Sequence, residues 1–291
     1  MFNNNYKRSK FTILMLVLVI IAASVLTFGC TAKEPVQNDS KVEVESGMTL
    51  ATTTSTRDTG LLDVLVPAFD KKYGVTTKVV AVGTGEALEM GKLGNADVLL
   101  VHARKSEDEF VASGYGINRK DVMHNFFFVV GPKDDPAGAA KEKDAEAAMK
   151  KIAESKSKFV SRGDQSGTHK KELAIWGAYG LKPQGEAWYK EAGQGMGDTL
   201  TMASEMGAYT LSDSGTWYAF QDKVDLKIVV EGDPVLFNPY GVIAVNPEKY
   251  PNIHNKAAMA FIDFITSEEG QKIIGDYKKN DQQLFIPDAI K

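Results

Sequence analysis

The 291-residue chain contains one cysteine, Cys30, which excludes an internal disulfide and a cysteine-based metal site. Its four histidines stand at positions 102, 124, 169 and 254, too scattered to suggest a metal cluster, and His102 and His124 are expected to cap or pack. The sequence also lacks a basic surplus: 34 Lys and Arg face 38 Asp and Glu, a formal charge of −4. Removing residues 1–29 takes away Lys7, Arg8 and Lys10 and no acid, leaving 31 cations against 38 acids, or −7. Nucleic acid is therefore excluded as a partner, because phosphate contacts require clustered cations. Apolar residues at 43% and charged residues at 25% exclude a disordered or fibrous chain. The length is about twice the ~150 residues typical of one domain, so two globular lobes are the starting expectation.

Long uncharged runs are absent except at the start. Lys7, Arg8 and Lys10 precede an uncharged stretch from Phe11 to Phe28, followed by Gly29 and Cys30. This charged-then-apolar layout is that of an export signal. It resembles a bacterial lipoprotein signal, which implies that Cys30 becomes the lipidated first residue of the mature protein. That signal usually has Leu three residues before the cysteine, whereas here Thr27 stands there and Leu26 one residue earlier. The run also has the length of a retained membrane helix, and both readings put the body outside the cytoplasm, at the membrane. Residues 30–47 are polar and nearly free of large apolar groups, so they are read as a tether between the signal, 1–29, and the body.

From Met48 the pattern alternates. Strands are expected at 49–54, 76–82, 97–102 and 123–130, with helices over 61–69 and 86–90 between the first three. Leu61, Leu62, Leu65, Ala68 and Phe69 line one helix face, with Pro67 a local misfit. Phe126, Phe127 and Phe128 fall in a run suited to a fully buried strand. A turn-rich stretch at 131–136 begins a second set: a helix over 143–155, a strand over 158–161, a helix after Ser166, and helices near 185–191 and 197–207. Asn238-Pro239-Tyr240-Gly241 reads as a second breakpoint, followed by a strand at 242–246 and helices over 257–265 and 268–277. The alternation predicts an α/β fold, mostly parallel and doubly wound, in two lobes joined by a two-crossing hinge. The expected limits are 48–131 plus 239–291 for the first lobe and 132–238 for the second.

Three polar turns each join a strand to a helix. Thr52-Thr53-Thr54-Ser55-Thr56 combines helix-capping hydroxyls with free backbone N–H groups, which suits an anion and equally an ordinary cap. Gly83-Thr84-Gly85 matches a dinucleotide fingerprint only loosely, because Leu88 occupies the third glycine position. The most informative turn is 161–169, Ser-Arg-Gly-Asp-Gln-Ser-Gly-Thr-His. Arg162 offers a guanidinium that does not titrate, and Ser166, Gly167 and Thr168 add hydroxyls and N–H groups within one turn, the donors a tetrahedral oxyanion needs. Asp164 is expected to orient Arg162, with a plain helix cap as the alternative. Arg162-Gly163-Asp164 is also an adhesion tripeptide. Ser166 and His169 bring a hydrolase to mind, but their i, i+3 spacing is no nucleophile elbow.

Together these blocks, with 97–103 (Asp-Val-Leu-Leu-Val-His-Ala), 193–197 (Gly-Gln-Gly-Met-Gly) and 238–241, resemble the tungstate-binding proteins of ABC transporters, the TupA type. The similarity runs from Met48 onward. It implies a type II periplasmic-binding-protein fold with the ligand held between lobes. Arg162, Asp164, Ser166, Gly167 and Thr168 are also similar to the Arg-x-Asp-x-Ser-Gly-Thr motif of phosphate receptors. By this resemblance Thr53, Thr54, Ser55, Thr84, Arg162, Ser166, Gly167 and Thr168 carry binding, and Met196 and Gly197 contribute N–H groups. The implied ligand is tungstate, or molybdate, with neither catalysis nor a cofactor. The implied partner is a membrane permease served by a monomeric receptor. A phosphate or sulfate receptor of the same fold is the alternative.

Overall fold

The structure, a computed structural model, describes residues 44–290. The expected export signal, Cys30 and the expected tether up to residue 43 lie outside the described residues. Among the described residues no helix is long and apolar enough to cross a membrane.

Strand β1 (Gly47–Thr53) leads through the short helix α1 (Thr54–Asp58) into α2 (Leu62–Tyr73), then β2 (Thr76–Val82), α3 (Thr84–Lys92), β3 (Val98–Val101) and α4 (Arg104–Ala112). The long β4 (Gly116–Pro132) follows. Next come α5 (Ala145–Glu154), β5 (Phe159–Ser161), α6 (Gly167–Ala178), β6 (Tyr189–Glu191), α7 (Met196–Met206), β7 (Thr210–Asp213), α8 (Ser214–Phe220) and β8 (Leu226–Val230). The chain returns along β9 (Phe237–Val245) and ends with α9 (Asn255–Ile265), α10 (Glu268–Asp276), the small hairpin β10 (Lys278–Lys279) and β11 (Gln282–Gln283), and β12 (Ile286–Pro287).

The main sheet runs β12-β4-β9-β3-β1-β2, and β7 and β8 pair the far half of β4. β1 lies parallel to β2 and β3, whereas β9 is antiparallel to both β3 and β4. The class is α/β as expected, but the pairing is mixed rather than mostly parallel. The cause is that β4 and β9 run in opposite directions side by side, with Asn125 opposite Asn238. Beyond that pair, Phe127 to Pro132 of β4 leave β9 and take β7 and β8 as partners.

Period-two alternation buries both faces of the sheet. Leu50, Val98, Leu100, Val242 and Ala244 pack with α2, α9 and α10, while Ala51, Leu99, Val101, Ile243 and Val245 pack with α3 and α4. On α2 the spacing of Leu62, Leu65, Val66 and Phe69 makes one apolar stripe, and the helix continues through Pro67 to Tyr73. Phe69 meets Phe261 edge to face at 5.1 Å. In the far half of β4, Phe127 and Val129 face α5 and α6, and Phe128 and Val130 face α7.

Three local expectations are corrected. Residues 185–191 form no helix; Tyr189–Glu191 is the short strand β6, parallel to β5. β4 begins seven residues before Met123, because its first part is polar and carries no apolar run. Asn238-Pro239-Tyr240-Gly241 lies inside β9. Pairing with β3 starts only at Gly241, so Pro239 has a ladder partner on one side alone and its missing N–H breaks no second ladder. Ahead of β1, Val44 packs on the core and Glu45 accepts the backbone N–H of Ala257 at 2.8 Å.

Candidate functional site

Strand β1 carries the threonine turn into the interior. Thr53 caps α1: its Oγ1 accepts the Thr56 N–H at 3.2 Å and lies 2.7 Å from Thr56 Oγ1 and 3.1 Å from Ser55 Oγ. Thr53 and Ser55 are buried, while Thr54 is half-buried. The second turn places Thr84 as the first residue of α3, fully buried, where its hydroxyl accepts the Gly167 N–H at 3.2 Å. That bond joins the second turn to the third.

Strand β5 ends at Ser161 and hands over to Arg162, whose side chain is only 2% exposed. One guanidinium nitrogen, Nη2, donates to Thr54 Oγ1 at 3.2 Å and to Asp164 Oδ2 at 2.5 Å. The other Asp164 oxygen accepts the Ser166 N–H at 3.1 Å, so this carboxylate both orients the arginine and braces the turn. Gly163 sits at φ 64°, where a side chain would be strained and would meet Glu191. Ser166 then caps α6 by accepting the His169 N–H at 3.2 Å. This Ser166–His169 contact is a helix cap with backbone as donor. The ring Nδ1 of His169 accepts the Gln165 N–H at 3.1 Å instead, so the pair is not arranged as nucleophile and base.

A fourth turn arrives from the loop before α7. Gly195 caps that helix, and a methyl group on it would lie 3.8 Å from Thr54 Oγ1. The Met196 side chain is buried in one cluster with Val130, Val160 and Leu200. Gly197 is kept small by the Phe220 ring pressed against it. The structure thus brings together Thr53, Thr54, Ser55, Thr84, Arg162, Asp164, Ser166 and Gly167, with the 195–197 turn alongside. Arg162 Nε and Thr168 Oγ1 are buried and have no protein hydrogen-bond partner. Each such atom costs about 1–3 kcal/mol, a penalty that a bound hydrogen-bond acceptor would remove.

Sequence reasoning missed several groups around this point. His102, at the end of β3, places Nε2 at 3.2 Å from Thr53 Oγ1 and 3.3 Å from Ser55 Oγ. It stacks on Tyr240 and holds Asn238 through Nδ1 at 3.0 Å, so it both packs and bonds. Burial, with Arg162 nearby, lowers its pKa to about 4, leaving the ring neutral at pH 7. Asp213 caps α8, accepting the N–H and the hydroxyl of Thr216 at 2.8 and 2.7 Å. Burial raises its pKa, opposed by Thr216 and Arg162. The signal for α8 was present: Ser214-Gly215-Thr216 repeats the Ser166-Gly167-Thr168 tripeptide directly after a strand. His124, by contrast, lies apart and pairs with Asp288 at 2.8 Å.

Comparison with known proteins accords with this architecture. Residues 36–269 match the family model described as the PBP superfamily domain. The chain is 50% identical over 284 residues to the tungstate-binding protein TupA of Peptoclostridium acidaminophilum, covering 96% of this chain and 99% of that one. Among solved structures, the tungstate ABC transporter from Geobacter sulfurreducens superposes with a TM-score of 0.73 at 56% identity, covering 80% of this chain and 100% of that one. The tungstate-binding protein TupA from Desulfovibrio alaskensis G20 gives 0.72 at 44% identity, covering 84% and 99%. With four converging turns on a mixed α/β scaffold and relatives that align over nearly their whole length, the chain belongs to the TupA family of the PBP superfamily.

Proposed function

We propose that this chain is the substrate-binding component of an ABC importer and captures tungstate, or molybdate, as a fully ionised oxoanion. The observation that carries the reading is the pair of buried, unpartnered atoms, Arg162 Nε and Thr168 Oγ1, where four donor-rich turns meet. Around the anion we place Thr53, Thr54, Ser55, Thr84, Arg162 and Ser166 to Thr168, with the N–H groups of Met196 and Gly197 from the fourth turn. Asp164 orients Arg162. Six hydrogen bonds to a charged ligand at about 1.5–3 kcal/mol each amount to roughly 9–18 kcal/mol before association costs. Nanomolar binding needs about 12 kcal/mol net, so the donors must be held in place beforehand or be completed by closure.

Closure is the second part of the proposal. The lobes expected at 48–131 with 239–291 and at 132–238 would move against one another about the Asn125–Asn238 pair, with Phe127–Pro132 going with the second lobe because they pair β7 and β8. The −7 charge of the chain beyond residue 29 repels an anion at long range, so attraction is local to the turns. Both oxygens of Asp164 are already engaged, by Ser166 N–H and by Arg162. A hydrogen phosphate brings a proton that needs an acceptor. The arrangement therefore disfavours hydrogen phosphate, while sulfate, which carries no proton, meets the same condition as tungstate; a phosphate or sulfate receptor of the same fold is the second choice. We further propose that the body works outside the cytoplasm, held at the membrane through Cys30, and passes its ligand to a permease as a monomer.

A thermal-shift panel with tungstate, molybdate, sulfate and phosphate tests this directly. Tungstate is expected to raise the melting temperature most. A shift with phosphate alone would transfer the assignment to the second choice, and no shift with any of the four would remove the receptor reading.

A further inference from the structure

His102 belongs to a line of buried polar groups. Asn238 Nδ2 donates to Asn125 Oδ1 at 2.7 Å and to the Tyr240 hydroxyl at 3.4 Å, which leaves Asn238 Oδ1 as an acceptor facing His102 Nδ1 at 3.0 Å. On the other side of the imidazole, Thr53 Oγ1 and Ser55 Oγ lie 3.2 and 3.3 Å from His102 Nε2. Thr53 Oγ1 also lies 2.7 Å from Thr56 Oγ1. An acceptor opposite Nδ1 requires the proton there, so the neutral ring presents a bare Nε2 to two hydroxyls. It can accept one hydroxyl proton.

We infer that His102 is a positioning residue of the oxoanion site: anchored through Nδ1–H on the Asn125–Asn238 pair, it uses its bare Nε2 to fix the hydroxyls of Thr53 and Ser55. The inference rests on the proposed oxoanion reading and extends it. The same asparagine pair sits where β4 and β9 cross, so the threonine turn is tied to the two strands about which closure is proposed. Gly167 contributes the room: a methyl group there would lie 2.9 Å from His102 Cε1.

The test uses full-length protein and sodium tungstate. His102→Phe keeps the stacking on Tyr240 but removes both ring nitrogens, and is expected to weaken tungstate binding by about tenfold or more. His102→Gln returns an acceptor toward the hydroxyls and is expected to recover affinity to within about threefold of the parent. Asn238→Ala should weaken binding too, and the double variant with His102→Phe should bind nearly as well as the weaker single, because the two act as one unit. Nitrogen-15 spectra of the histidine-labelled parent should show the neutral Nδ1–H ring in the ligand-free protein, a result that does not depend on any variant folding. An Nε2–H ring, additive losses, or equal losses for His102→Phe and His102→Gln would overturn the inference. Absence of tungstate binding by the parent would instead overturn the oxoanion reading, with the ring tautomer still measurable.

Discussion

Replacing Arg162 with methionine keeps most of the buried aliphatic stem and removes the guanidinium. In the ligand-free protein the expected cost is small, because two effects oppose one another. Asp164 Oδ2 loses its 2.5 Å partner but is part of a carboxylate that is 19% exposed, while the orphaned Nε disappears. With ligand the balance changes. In the proposed site Nε and one further N–H of the guanidinium would each make a charge-assisted bond to the anion at about 1.5–3 kcal/mol, so the expected loss is roughly 3–6 kcal/mol. That corresponds to tungstate binding weaker by about 10²- to 10⁴-fold. Isothermal titration of parent and variant measures the ratio, and thermal unfolding without ligand checks the fold. A dissociation constant changed by less than about tenfold, in a variant that unfolds like the parent, would refute the placement of the anion against Arg162.

Other outcomes follow from the same geometry. Arg162→Glu places a negative charge among the turns and is expected to abolish tungstate binding while the circular dichroism spectrum is retained. Glu172 is buried against Tyr189 and Trp176, and burial raises its pKa to about 7 from 4.5. Because the folded state holds the proton more tightly, Glu172 leaves stability intact below pH 4.5 and progressively destabilises the fold from there to about pH 7. Glu172→Gln, which keeps both bonds to Oε1, is expected to gain up to roughly 3 kcal/mol over the parent at pH 8 and little at pH 4, read from urea unfolding at both values. Phe261→Ala removes the partner of Phe69 from the core and should cost about 3–5 kcal/mol in urea unfolding with tungstate affinity unchanged. Gly131→Ala drives a methyl group into the Tyr209 ring and should lower stability by about 1–3 kcal/mol by the same assay.

What could be read from the sequence was what repeats along the chain. The β1, β2 and β3 runs are apolar or β-branched, and α2 carries four apolar residues on one stripe, so each announced itself. The loops bearing Thr53, Thr84 and Arg162 were legible because hydroxyls, glycine and an arginine follow strand ends. What depends on pairing was not. Tyr189–Glu191 becomes a strand only because Phe159–Ser161 lies beside it, and Pro239 is tolerated only because its stretch of β9 has a single partner. His102 follows β3 while Asn125 and Asn238 lie in β4 and β9, His102 and Asn238 are 136 positions apart, and no local pattern joins them. Met196 and Gly197 were named from the sequence, but their burial, against Leu200 and Phe220, was not legible there.

The most direct measurement is a crystal structure of the protein grown with sodium tungstate, recorded where tungsten scatters anomalously. The account predicts one strong peak among the turns, with tungstate oxygens in hydrogen-bond reach of Arg162 Nε and Thr168 Oγ1 and of the turns at Thr54, Thr84 and Gly195. A peak lodged elsewhere, with Arg162 Nε still facing no ligand, would contradict it.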